Sequence, residues 1–328
     1  MYLKNFATGE GRKASLVAVE LETGKLFKPR LRRIASETDF NRIDIDGEDP
    51  YAVEKALSAV EGEISPALQE VIAARGFPSN EHRNLLLNLM AMLAVRNPRV
   101  RSTLGKFLGD IHEKSLSLML QSRERWESIK QQAVKDGAPE MPEVDYEDVK
   151  HAFQSGQIEV QANKNYLVKL DLDMVEPVLQ ALNRRKWSFL SALEGNQFVT
   201  SDDPVVLDFF DGRERTLMNS PSFGVGGTFV FFALSPDLAI YGPLDAPDLP
   251  TELDARAVAR INGMTMRHAR RHALARSEDF MLQGNDGAYL TPIEMPEFIR
   301  RMSSGWHGTD QSRASARYRT RNASQHRI

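Results

Sequence analysis

Thr200-Ser201-Asp202-Asp203 stands between the apolar Phe198-Val199 and Pro204, so a hydroxyl pair and two carboxylates gather where an apolar run ends. A strand tip fixes the direction of the side chains it carries, which is how a scaffold presents groups for chemistry. The same residues also suit a plain turn, because Ser, Thr and Asp beside Pro satisfy local backbone donors. Alternation from Phe198 through Thr200 turns Asp202 inward and Asp203 outward. An inward carboxylate needs a cation or several donors, since an isolated buried charge is too costly. Two more charged residues border apolar helical stripes. Glu61, next to Val60, is either solvated or paired with a base, or it serves a site. Arg96 is either a cation on the free carbonyls of a helix end or an anion-binding group beside Glu61.

The rest of the candidate chemistry is basic. From Ala255 to Arg276 the spacing predicts a helix with Arg256, Arg260, Arg267, Arg270 and Arg271 on one side and Val258, Ile261, Thr265, Ala269 and His272 on the other. That stripe could meet the phosphates of a nucleic acid, or a protein partner, or pair with the chain's own carboxylates. His268 and His272 are one turn apart on such a helix. This is a metal-ligand spacing, but no third ligand is evident nearby, so two partly buried histidines are the expectation. Phe223-Gly-Val-Gly-Gly227 is glycine-rich but precedes no helix, so it offers no helix N-terminus to a phosphate. Phosphate-loop, dinucleotide, zinc-protease and serine-hydrolase motifs and internal repeats are absent from the sequence.

Among the elements that must hold these residues, apolar runs at Trp187–Leu190 and Gln197–Thr200 flank Glu194-Gly195-Asn196 and read as a β-hairpin. Ser15–Leu21 and Leu26-Phe27 read as another, turned by Gly24. Residues 51–74 carry helical periodicity with Pro66 as a kink, and residues 79–96 form an apolar, buried helix stopped by Pro98. One long amphipathic helix is expected over 104–133, ended by Gly137, with a linker at 137–143. Asp145 and Asp173 look like the caps of two further helices. Thr228–Leu234 and Leu238–Tyr241, joined at Ser235-Pro-Asp237, form strands that build a small sheet with Phe198 and Val205-Val206.

The expected fold is therefore α+β, helix-rich with small, mostly antiparallel sheets, as one domain over residues 1–285. Residues 286–328 are expected to be an extension that loses periodicity after Pro296 and ends in a disordered basic tail carrying Arg313, Arg317, Arg319, Arg321 and Arg327. With 328 residues, 41% hydrophobic and 27% charged, the chain has material for a substantial core. A net charge of -3 makes no global claim on nucleic acid or an anionic membrane. The lack of cysteine excludes disulfides, thiolate nucleophiles and Cys-ligated metals. The N-terminus has no apolar leader and no segment is long enough to span a bilayer, so a cytoplasmic protein with no membrane partner is expected.

Taken in order, Leu3-Lys-Asn-Phe6, the glycine-turned hairpin ending in Glu37-Thr-Asp-Phe40, Val60-Glu61, Arg96-Asn-Pro98, the run from Trp187, Phe198-Val-Thr-Ser-Asp-Asp-Pro-Val205, Ala233-Leu-Ser-Pro236 and Ile261-Asn262 resemble the bacterial family DUF4238 over about residues 2–282. The Thr-Ser-Asp-x-Pro segment is the most specific part. That family places a His-x-x-Pro element just before Leu-x-x-Phe, whereas this sequence begins at Met1-Tyr2 inside the motif. Either a later start or the loss of part of a site is expected. The resemblance implies architecture and candidate positions rather than a reaction. It groups Glu61, Arg96, Ser201, Asp202 and Asp203 as one polar pocket. Carboxylates with an arginine suit a hydrolytic or phosphoryl-directed site, with Mg²⁺ held between the carboxylates and a substrate phosphate. The competing expectation is a non-enzymatic binding protein working through the arginine helix.

Overall fold

The computed structural model describes residues 2–34, 42–43, 47, 49–96, 98–137, 144–213, 219–284 and 286–306. The segment 37–40, most of the loop 44–50, Asn97, the linker after Gly137 and the arginines from Arg313 onward lie outside the described residues. Along the chain, a 3₁₀ turn (Tyr2–Phe6) precedes β1 (Val17–Glu20), β2 (Leu26–Phe27) and a short helix α1 (Leu31–Ile34). Helices α2 (Ala52–Ala74), α3 (Asn80–Val95), α4 (Pro98–Met119), α5 (Arg123–Lys135), α6 (Tyr146–Gln154) and α7 (Lys164–Asn183) follow. Then come β3 (Ser188–Ala192), β4 (Thr200–Ser201), β5 (Val206–Phe209), β6 (Thr228–Ser235), β7 (Leu238–Leu244) and β8 (Glu252–Leu253). Last are α8 (Ala255–His268), β9 (His272–Ala275), β10 (Leu282–Gln283), β11 (Tyr289–Leu290) and α9 (Met295–Trp306). The fold is α+β, with small and mostly antiparallel sheets. Two compact units are formed, Met1–Phe40 with Lys55–Ala94 and Val175–Ile328, and Asn41–Glu54 with Val95–Met174. Among the described residues no helix is long and apolar enough to cross a membrane.

The first unit contains a five-stranded sheet, β5-β6-β7-β3-β8, a four-stranded sheet, β2-β1-β9-β4, and the β10-β11 pair. The central β6, TFVFFALS, is buried along its whole length, which is why it reads as a continuous apolar run rather than an alternating one. Its hairpin to β7 closes where Ser235 Oγ donates to Asp237 Oδ1 at 2.7 Å. The β1–β2 hairpin forms as its turn residue predicts. Gly24 takes φ +71°, and a Cβ there would meet the backbone of Met295 and Pro296 at 2.6 Å, so glycine serves both the turn and the seat of α9. Leu290, Met295 and Phe298 share a core cluster with Val17, Val19 and Met266. The start of the expected extension, through Phe298, thus packs into this core. In α3, Leu86, Leu87, Leu89, Met90, Ala91 and Met92 are buried, as an all-round apolar helix should be. The preceding α2 continues through Pro66.

The hairpin expected over 187–200 does not form. Both edges of β3 are taken, by β7 antiparallel and β8 parallel, while β4 joins β9 in the other sheet. Gly195 does turn the chain, with φ +81°. The stretch after it is held by a side chain instead of a strand. Asn262 Oδ1 accepts from the Val199 N–H, and Asn262 Nδ2 donates to the carbonyls of Gln197 and Met281, all at 2.9 Å.

In the second unit, the helix expected over 104–133 is two helices. The chain turns at Leu120-Gln121, and Ser122 caps α5 by accepting from the Arg125 N–H at 3.2 Å. Leu120, Trp126 and Tyr146 form the buried cluster beneath that turn, while Phe107, Ile111 and Leu118 of the predicted stripe are exposed. The cap expected at Asp173 lies inside α7, whose start is set by Asn163 Oδ1 accepting from the N–H groups of Asn165 and Tyr166. Asp145 does cap α6, accepting from the Glu147 N–H at 2.8 Å. A buried ion pair crosses the unit, with Arg101 Nε 2.6 Å from Asp171 Oδ2.

Candidate functional site

The tip of β4 is built from the residues that the sequence singles out. Thr200 and Ser201 pair with Leu274 and Ala273 of β9, and both are buried. The Ser201 hydroxyl donates to the Asp203 carbonyl at 2.7 Å and accepts from the Asp203 N–H at 3.1 Å, closing a local turn. Its oxygen is committed to the backbone and is not a presented nucleophile. Thr200 Oγ1 is similarly engaged, 2.7 Å from the Tyr2 hydroxyl, which also donates to the Ala233 carbonyl. Burial holds the Tyr2 phenol well above the usual tyrosine range.

Asp202 points inward and finds donors. Oδ1 accepts from the Arg270 N–H and Oδ2 from the Arg271 N–H, each at 2.8 Å. These consecutive donors belong to the turn between α8 and β9, because α8 stops at His268 and Ala269 adopts φ -59°, ψ 152°. The helix expected to run to Arg276 is thus a helix, a turn and a strand. Arg256, Arg260 and Arg267 stay on α8, while Arg270 and Arg271 belong to the turn that Asp202 clamps. The histidine pair separates for the same reason. The His268 ring lies 3.0 Å from both the Met264 and Leu207 carbonyls, and His272 opens β9. Asp203, expected to face solvent, is half-buried.

Asp202, Arg271 and His272 line a cleft of about 720 Å³ together with Phe27, Lys28, Pro29, Arg30, Arg33 and Ile34. The chain leaving β2 and the four-residue α1 thus bring three cations, Lys28, Arg30 and Arg33, to the same space as Arg271. Lys28 also meets Glu278 at 2.8 Å across an exposed surface. His272 stands edge-on to Phe27 with ring centroids 5.7 Å apart. Three arginines, with Lys28 shared with Glu278, face one cleft carboxylate whose two oxygens already accept backbone N–H bonds, so the cleft favours an anion. Among the described residues no group of three His, Cys, Asp or Glu could hold a metal ion. A cleft lined by cations, with its one carboxylate engaged, does not fit a resident Mg²⁺.

Of the other expected site residues, Glu61 sits half-buried on α2 and does not line this cleft. Arg96 follows α3 in the second unit, where its charge helps draw down an Asp171 carboxyl that burial pushes up. The sequence reading missed Lys28, Arg30, Arg33 and His272 as cleft residues. The basic run Arg30-Leu-Arg-Arg33 was the available signal, but a short charged run after a strand looks the same when it is merely solvated. Arg185 was missed as well. It is buried, its guanidinium donates to the Thr228, Gly242 and Phe223 carbonyls, and burial lowers its pKa to about 10.

With this geometry in place, the comparison with known families is specific. The family described as "Protein of unknown function (DUF4238)" matches residues 1–279, and the chain belongs to it. No curated protein and no solved structure matches the chain.

Proposed function

We propose that this DUF4238 protein binds a phosphate-bearing small molecule in the cleft between β2, α1 and the Asp202 turn, and acts on it by hydrolytic or phosphoryl-directed chemistry. The observation that carries the reading is the convergence of Lys28, Arg30, Arg33 and Arg271 on one open cleft. Arginine forks match the oxygens of a phosphate bidentately and lysine adds a point charge. Asp202 is a positioning residue in this scheme. By fixing the N–H groups of Arg270 and Arg271 it sets where the Arg271 side chain and the His272 ring emerge from the backbone. His272 supplies the group that can pass a proton to or from a leaving oxygen beside the bound phosphate. Ser201 and Asp203 hold the strand end in shape.

The test is a titration with inorganic phosphate and pyrophosphate, read by calorimetry and by the thermal midpoint, since a ligand bound only to the native state raises that midpoint. Arg33→Ala and Arg271→Ala should each weaken pyrophosphate binding by about tenfold, the loss of one charge-assisted contact. Neither should shift the midpoint of the unliganded protein, because both side chains are exposed. If neither anion moves the midpoint of the wild-type protein at millimolar concentration, the reading fails. Turnover is read separately with an aryl phosphate, where His272→Gln should remove activity and leave pyrophosphate binding in place.

A further inference from the structure

One face of α4 carries an apolar stripe that stands open to solvent. Val100, Phe107, Ile111 and Leu118 are 49%, 58%, 41% and 53% exposed, in a helix of 22 residues. The opposite face is the one that packs. A Cβ at Gly105 would meet Leu167 Cδ1 at 3.1 Å and one at Gly109 would meet the Val160 carbonyl at 3.2 Å, so glycines let the chain after α6 lie close to the helix there. Leu116 and Met119 pack on the Leu120–Trp126–Tyr146 cluster. With Leu104 and Lys114 added, the open stripe runs Val100, Leu104, Phe107, Ile111, Lys114, Leu118, at steps of four, three, four, three and four. That is the spacing at which two helices pack along their length. The order of steps is the same read from either end, with Gly109 at its midpoint, and a surface that is its own complement is what a two-fold interface requires.

We propose that a second copy of this chain docks on α4, helix against helix and antiparallel, about a two-fold axis level with Gly109. Val100 then meets the second copy's Leu118, and Phe107 meets its Ile111. Leu104 meets its Lys114, whose methylenes cover the leucine while the ammonium reaches water. Lys114 sets the orientation. In parallel pairing the two Lys114 side chains would meet in one apolar layer, whereas antiparallel pairing holds them about 15 Å apart along the helix axis. The exposed charges of α4, Lys106, Asp110, Glu113 and Lys114, carry both signs, which suits a protein surface rather than an anionic lipid one. Area sets the strength. A face about 33 Å long and about 10 Å wide gives each copy about 330 Å², within the roughly 300–600 Å² of functional patches on monomers but short of the about 800 Å² per partner of a stable complex. The two Asp110 carboxylates also approach each other near the axis, so the dimer is a weak one, with a Kd of about 10–100 μM. Nothing in this proposal depends on the phosphate reading of the cationic cleft.

Sedimentation velocity over about 1–500 μM tests it, and the wild-type chain should pass from monomer to dimer across that range. Phe107→Glu places a charge in both central layers and should weaken the dimer by at least about tenfold. It should leave the thermal midpoint of the monomer unchanged, because the side chain it replaces is exposed. Arg33→Ala, in the cationic cleft, should dimerise as the wild type does. Orientation is read with introduced thiols, each the only one in a chain that lacks cysteine. Val100→Cys mixed with Leu118→Cys should give a disulfide-linked dimer on oxidation. Neither variant should link to itself, because antiparallel pairing puts like positions about 27 Å apart. This pair remains informative even if Phe107→Glu disturbs folding. The proposal is overturned if the wild type stays monomeric to about 500 μM, if Phe107→Glu dimerises as the wild type does, or if either cysteine variant links to itself while the mixture gives no mixed dimer. It is equally overturned if phosphatidylserine vesicles bind the chain and no dimer forms.

Discussion

At the scale of single residues, Asp202 and Asn262 show how a polar side chain can take the place of a missing strand. Asp202 gives each oxygen to one N–H of the Arg270-Arg271 turn, and Asn262 satisfies three backbone groups at once. In Asp202→Asn one oxygen becomes an NH₂ facing a donor, so stability should fall by about 1–3 kcal/mol, nearer the lower figure because the side chain is only half-buried. A melt indistinguishable from wild type would show that the turn does not need the carboxylate. Asn262→Ala strands the Val199 N–H and two carbonyls in a fully buried place, and should cost about 3 kcal/mol or more by denaturant unfolding. Of this the sequence made the Asp202 half legible. Alternation along Phe198–Asp202 turns that carboxylate inward, and an inward carboxylate demands donors. It could not say that the donors come from residues about seventy positions later, and for the same reason Arg30 and Arg33 gave no sign of facing Arg271.

At the scale of elements, what the sequence shows is what short-range chemistry decides. The β1–β2 and β6–β7 hairpins and the α5 and α6 ends follow from Gly24, Ser235-Pro-Asp237, Gly137 and Asp145, because a turn or cap is settled within a few residues. The 187–200 hairpin had equally good turn residues and lost to competition, since β7 and β8 occupy β3 from both sides. The split of α4 from α5 depends on Ser122 finding the Arg125 N–H, which helical periodicity does not register. Two ion pairs at element junctions make contrasting predictions. Arg101 and Asp171 are both buried, so Asp171→Ala, leaving a buried guanidinium, should cost about 3–5 kcal/mol, whereas Arg101→Met with Asp171→Leu should be close to neutral or stabilising. A double mutant less stable than the single one would reverse this account. Asp237 sits at the β6–β7 turn. Partial burial raises its carboxyl, but the Ser235 hydroxyl and the Arg75 guanidinium outweigh that and leave the pKa lowered from 3.8. A depressed carboxylate binds protons more readily when unfolded, so its stabilisation is present above the ordinary value and is lost as the pH falls through the folded one. The side chain is more than half exposed, so the effect should stay below about 1 kcal/mol. Melts of Asp237→Asn and wild type between pH 5 and 3, of the order expected for carboxylate titration, should converge as the pH falls.

Across the whole molecule, a net charge of -3 coexists with an arginine-lined cleft, so the positive potential is local and belongs to a cleft rather than to a face. That arrangement bears on the nucleic-acid alternative. A continuous helix from 255 to 276 would have presented five arginines in one row, but α8 ends at His268. Arg256, Arg260 and Arg267 remain on it at spacings of four and seven, while Arg270 and Arg271 leave in the turn, and Arg271 enters the cationic cleft. Counterion release counts phosphate contacts, because the slope of log affinity against log salt is about -0.9 per phosphate neutralised on duplex DNA. Three helical arginines allow a slope of about -2.7, and five on one surface would allow about -4.5. The expected outcome with a duplex oligonucleotide is therefore weak binding, seen by anisotropy only at low salt, with a slope no steeper than about -3. Arg256→Ala with Arg260→Ala should remove most of it, and Arg33→Ala should not. Tight binding with a slope near -5 would require the turn and cleft arginines to act with the helix on one polyanion, and would make the cationic cleft part of a nucleic-acid surface instead of a small-molecule site.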